Sequence, residues 1–158
     1  MISSLISINL KLQTMDHVVC LDSDAKELEN LMNGSKSMII RGSDKRDFPY
    51  SSVNAGDILY FMSCIGDGEV KARGIVSSVY TSERLSLEAS FETIIRNQDK
   101  LQLPDQQFER MAGKKFLALI GIEETEVIEP IRIDIKRFTS PDDWLQVGNI
   151  DLVSMNNS

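Results

Sequence analysis

Hydrophobic and polar positions alternate at the start of the chain, with Ile6, Ile8, Leu10 and Leu12 set against Ser7, Asn9, Lys11 and Gln13. That period of two predicts a half-buried strand. A short apolar run from His17 to Leu21 predicts another. The pattern then changes to a helical stripe of Ala25, Leu28, Leu31 and Met32. Asp24 followed three residues later by Glu27 has the spacing of a capping box, and Gly34 sits where a left-handed C-terminal cap belongs, so a helix is expected over 24–33. Strands follow at 37–41 and 58–64, separated by a polar loop over 42–54 with Pro49 as a breaker and by the turn Gly56-Asp57. Gly66-Asp67-Gly68 reads as a hairpin leading into a return strand over 70–80. In that strand Val70, Ala72, Gly74 and Val76 share one face and Lys71 and Arg73 the other.

Helical spacing recurs through Leu87, Phe91, Ile94 and Ile95, and Pro104 opens a second short helix containing Phe108 and Met111. Phe61 and Phe91 are both assigned to the core. The run 116–122 is almost continuously apolar and predicts a central strand. Ile131, Ile133 and Ile135 predict a separate strand with one wet face. Ser140-Pro141-Asp142-Asp143 has the form of a helix start that ends on Trp144, and 154–158 reads as a frayed tail. Many short strands interrupted by short helices predict a mixed α+β, mainly β fold. The expected form is a partly closed barrel with peripheral helices, not a parallel α/β sheet.

A chain of 158 residues suits a single domain. We place its core at about 14–150, with 1–13 as an added edge strand. No apolar stretch approaches the ~18 residues of a membrane span, and no Lys or Arg precedes Lys11, which argues against a secretory signal. Cys20 and Cys64 both lie in apolar runs and read as buried reduced thiols, which predicts a cytoplasmic location. The net charge is −7, and since phosphate contacts supply most non-specific nucleic-acid affinity, tight binding of duplex DNA is not expected. The charge is uneven. Residues 1–35 carry two basic and five acidic groups, residues 36–84 seven and six, and residues 85–158 eight and thirteen. The middle stretch alone is non-negative, which suits a small or single-stranded ligand.

That middle stretch carries Gly34-Ser35-Lys36 and Arg41, then Gly56-Asp57 leading into Ile58-Leu59-Tyr60-Phe61. It resembles the ASCH domains of the PUA-like superfamily, whose signature is Gly-x-Lys-x-x-Glu-x-Arg at a helix end running into a strand. Gly34, Lys36 and Arg41 occupy matching places, while the Glu position holds Ile39. Lys71-Ala72-Arg73-Gly74 on the returning strand is similar too. The resemblance runs from about His17 to Ile135. It implies a PUA-like barrel and a module that binds RNA or a modified nucleobase or nucleotide. One branch of the family hydrolyses an acylated cytidine with a Lys, a Thr three residues later and a distant Glu. Here the Thr position is again Ile39. Ser37 is about 6.6 Å along the strand, beyond the ~3 Å needed for proton transfer, so that hydrolysis is not expected.

The candidate ligand-binding residues are Lys36, Arg41, Lys45, Arg46, Phe48, Tyr50 and Trp144. Lys36 is either a contact at a pocket mouth or a solvated lysine after the helix cap. It is also the one catalytic candidate, with Glu83, Glu88 or Glu92 as a possible acid–base partner. Arg41 either contacts phosphate or a base edge or is a surface arginine paired with Asp44 or Asp47. The two are five residues apart and share a site if Lys36 belongs to the turn or the strand bulges. Lys45 and Arg46 sit in the longest polar loop. Phe48 and Tyr50 flank Pro49 as possible stacking rings, alongside Tyr60. Trp144 is either another stacking ring or a core residue. A lone His17 and two separated cysteines provide no metal set, and no cofactor is expected. The alternatives to a binding module are a metal-independent hydrolase or nuclease acting on a nucleoside or RNA, and a protein-interaction domain with a vestigial pocket.

Overall fold

The computed structural model describes residues 14–46, 52–63, 65–134, 136, 138 and 143–155. In chain order the elements are β1 (Asp16–Leu21), α1 (Glu27–Met32), β2 (Met38–Ser43), β3 (Ile58–Ser63) and β4 (Glu69–Thr81). They continue with α2 (Leu87–Arg96), α3 (Gln98–Leu101), α4 (Asp105–Met111), β5 (Phe116–Arg132) and β6 (Trp144–Gly148). One six-stranded sheet has the order β2-β5-β4-β3-β1-β6 and curls into a half-barrel. All pairs are antiparallel except β1 against β3. That parallel pair is possible because α1 and β2 fill the long connection between its strands.

The alternation of each strand sorts the core into an inner cluster and two outer ones. Val19, Ile39, Leu59, Phe61, Ala72, Ile120 and Trp144 point inward from all six strands, with Leu31 of α1 packed among them. On the outer face, Met38, Ile40, Leu117 and Leu119 are covered by Ile94, Leu101, Leu103 and Met111 from the helical layer. The third cluster packs Val18, Cys20, Tyr60 and Met62 against Ile133, Phe138 and Ile150. Gly74 marks a close approach within the inner cluster. A Cβ there would lie 2.7 Å from Ile122 Cγ2 and 3.3 Å from Phe61 Cε2. Gly74→Ala is therefore expected to cost about 1–3 kcal/mol by overpacking, read as a lower midpoint in urea unfolding.

Several expectations change. The helix begins at Glu27 because Asp22, not Asp24, is the local acceptor: its Oδ1 takes the Asp24 and Ala25 amides, and Glu27 Oε1 accepts the Asp22 amide in return. Gly34 does take the left-handed conformation, at φ 84°. The run from 116 to 132 is one strand of 17 residues rather than two. Its charged middle survives as strand because it extends β4, with register shifts that absorb the mismatch. Trp144 opens β6, a strand the sequence does not suggest, held by β1; residues 140–142 of the expected helix lie outside the described residues. Ser154 and Met155 are not a frayed end, since their amides bond to Ile150 and Arg132. Phe91 is 39% exposed, because α2 buries its Ser90–Ile94 side instead. Residues 1–13 and the tail after Met155 lie outside the described residues.

Cys20 is disulfide-bonded rather than a free thiol. The register sets Cys20 opposite Met62, two positions before the chain's other cysteine, which itself lies outside the described residues. The inference of a cytoplasmic location from reduced thiols loses that ground. Among the described residues no helix is long and apolar enough to cross a membrane.

Candidate functional site

Lys36 lies in the turn between α1 and β2, where the amide bonds to Asn30 O. This placement outside the strand frees it from the alternation that would set it opposite Arg41. Both side chains are enclosed, each residue being 2% exposed, where the sequence suggested a pocket mouth and a surface. Lys36 Nζ donates to Leu101 O and lies 3.7 Å from Glu27 Oε2. Burial lowers the ammonium pKa below its ordinary value; the Glu27 carboxylate opposes this, and the Arg41 guanidinium adds to it. The carboxylate beside Lys36 is thus Glu27, not Glu83, Glu88 or Glu92. The pair stands at ion-pair distance and is covered.

Arg41 points into the half-barrel from an edge strand. Its Nη1 donates to Ile40 O at 2.8 Å, and its Nη2 to Cys20 O at 2.7 Å. Strands β2 and β1 have no ladder between them, so Arg41 bridges the seam of the barrel. The guanidinium carbon also lies 5.8 Å from the centre of the Trp144 ring, within cation–π range. Arg41 is not the surface partner of Asp44. That carboxylate lies instead 3.9 Å from Lys114 Nζ.

Trp144 is buried, and its indole N–H donates to His17 Nδ1 at 2.9 Å. An indole nitrogen can only donate, so His17 Nδ1 is the acceptor and the imidazole proton sits on Nε2. From there it is donated to Asp57 Oδ2 at 2.9 Å. Asp57 also accepts the Met15 and Asn54 amides. Gly56, at φ 96°, makes the turn that presents it. The Gly56-Asp57 landmark and the lone histidine are therefore parts of one interior chain linking β6, β1 and the start of β3. Sequence spacing had no way to connect them.

Lys45 and Arg46 are exposed, as a polar loop requires. Phe48 and Tyr50 lie outside the described residues. Tyr60 is buried, its hydroxyl 3.5 Å from Arg73 Nη1. Other cations gather around Lys45 and Arg46. Ser43 of β2 stands opposite Phe116 of β5, Thr81 of β4 opposite Ala118, and the Leu85 amide bonds to Lys115 O. Three segments distant in sequence thus meet at one end of the barrel. They bring Lys45, Arg46, Arg84, Lys114 and Lys115 together with Asp44 and Glu83. Asp44 also accepts the Lys115 amide. Arg46 pairs with Glu83 at 2.5 Å and lies over the Phe116 ring at 5.9 Å. Among the described residues, five basic groups against two acidic ones leave this collar at +3 on a chain of −7.

No family model matches the sequence, and no curated protein does either. Among solved structures the fold is similar to an ASCH protein from Zymomonas mobilis, with a TM-score of 0.62 and 13% identity over 87% of this chain and 90% of that one. A serine-to-alanine variant of the same protein has a TM-score of 0.62 at 14% identity, over 90% of this chain and 99% of the other. A tyrosine-to-phenylalanine variant has a TM-score of 0.60 at 14% identity, over 84% and 89%. The chain has the ASCH type of PUA-like fold.

Proposed function

We propose that this protein is an ASCH-type module that binds single-stranded RNA, with the strand's phosphates lying on the collar of Lys45, Arg46, Arg84, Lys114 and Lys115. The observation that carries this reading is a cationic surface assembled from three chain segments on an acidic protein. Phosphate attraction is strong at such a patch and weak elsewhere on the body. Of the motif residues, Lys36 and Arg41 hold the barrel together in this reading, and the backbone contacts pass to the exposed cations beside them. A flexible single strand can follow a small patch, whereas a rigid duplex would bring many phosphates against acidic surface.

The test is fluorescence anisotropy of a labelled short RNA strand against salt. Reversing two collar charges (Lys45→Glu with Lys115→Glu) is expected to weaken binding by about tenfold or more and to flatten the slope of log affinity against log salt by about 1.4, at ~0.7 per phosphate contact. Lys71→Glu, on a remote sheet face, should change little. An unchanged salt slope in the collar variant, or no RNA binding at all, would reject the proposal.

A further inference from the structure

The outer face of the sheet carries a second feature, separate from the collar and from the enclosed motif residues. A cleft of about 340 Å³ opens between β4 and the last turn of α2. Its floor is apolar, formed by Met38 and Leu119, and its rim is polar, with Ser78, Tyr80, Arg96 and Asn97. Tyr80 is 50% exposed, a large ring left open near the end of β4, where Ser77, Ser78 and Thr81 are exposed as well. Arg96 is solvent-facing, its Nη2 3.5 Å from Glu92 Oε2. That exposed contact within one helix is weak and easily exchanged for an anion.

The backbone beneath the rim is built to shape. The β4–β5 register shifts between Val76 and Ser78, so Ser77 and Ser78 both crowd over Gly121. A Cβ on Gly121 would lie 2.4 Å from Ser78 Oγ and 2.7 Å from Ser77 Oγ. Such bulges re-aim side chains beside binding sites, and here the shift puts Ser78 and Tyr80 on the cleft wall together.

We infer that this cleft is a binding site for one nucleotide. The base stacks on Tyr80 above the Met38–Leu119 floor, the Ser78 and Asn97 side chains meet the base edge, and Arg96 takes the phosphate. An exposed ring, an apolar floor and one guanidinium match a planar heterocycle carrying an anionic group. The inference deepens the RNA reading: the cleft holds one unpaired base of a strand whose backbone crosses the collar. Tyr80 and the collar lie on the same end of β4, since Tyr80 is followed directly by Thr81 and the Ser82–Leu85 segment.

The probes are free nucleoside monophosphates, titrated at millimolar concentration against the ¹⁵N-labelled full chain, with amide shifts as the readout. Ser78, Val79, Tyr80, Thr93 and Asn97 are expected to move. Tyr80→Ala should weaken binding by about tenfold or more, as loss of one stacking contact implies, while Tyr80→Phe should retain it. Arg96→Gln should erase the preference for nucleotide over nucleoside. The collar double variant should leave these shifts intact, so a failure of the collar reading and a failure of the cleft reading give different results. Absence of shifts around the cleft, or equal binding by wild type and Tyr80→Ala, overturns the inference whatever the RNA titration shows.

Discussion

Arg41→Ala is expected to cost about 3 kcal/mol or more of folding stability, read as a large fall in the urea midpoint. The guanidinium donates charge-assisted bonds to Ile40 O and Cys20 O from a nearly fully buried position. Truncation leaves two buried carbonyls short of a donor, at about 1–3 kcal/mol for each unsatisfied group. It also opens a void against the Trp144 ring. The loss falls at the seam, where no backbone ladder joins β2 to β1, so neighbouring strands cannot compensate. Arg41→Lys should rescue little, because an ammonium lacks the fork that reaches two carbonyls while lying over a ring. Near wild-type stability, together with a selective loss of RNA affinity, would show that Arg41 swings out to solvent and acts as a ligand contact.

Lys36→Met is expected to be destabilising by about 3–5 kcal/mol, the usual result of breaking a buried pair from one side. It strands the Glu27 carboxylate, whose side chain is 4% exposed, with the Asp22 amide as its described hydrogen-bond donor. The double variant Glu27→Gln with Lys36→Met should recover most of the loss, because it removes both charges and keeps an acceptor for the Asp22 amide. The pH dependence has a definite sign. Burial lowers the folded-state pKa of Lys36 below its ordinary 10.5, so between those two values the unfolded chain holds more protons than the native one. The contribution of Lys36 makes stability rise as pH increases through that window, and it is flat below it. The wild-type advantage over Lys36→Met should therefore widen at alkaline pH. Narrowing of that gap would contradict the burial argument.

Local pattern was informative where side chains obey short-range rules. Alternation at Ile58–Ser63 and Glu69–Thr81 placed β3 and β4 within a residue or two. The α2 stripe was visible as well, and its N-terminus is fixed by Ser86 Oγ accepting the Ala89 amide. The Gly34–Arg41 and Gly56–Asp57 landmarks carried the resemblance to the ASCH domains, and in both turns the glycine takes a positive φ. Misreadings fell where tertiary partners overruled local pattern. The charged run Glu123–Glu126, to which the sequence pattern assigns no element, is strand because β4 pairs with it. A tryptophan after Pro-Asp-Asp reads as part of a helix until β1 draws it into a ladder.

For this protein, residue order alone was enough to place most of the strands and helices and to fix the acidic balance. Each depends on interactions within a few residues or on simple composition. Burial of Lys36 and Arg41, the Trp144–His17–Asp57 chain, the parallel β1–β3 pair, the +3 collar and the Tyr80 cleft were settled by folding. Each joins segments separated by tens of residues. A charged side chain carries no mark in its own neighbourhood to show whether a carbonyl from a distant strand will receive it or water will.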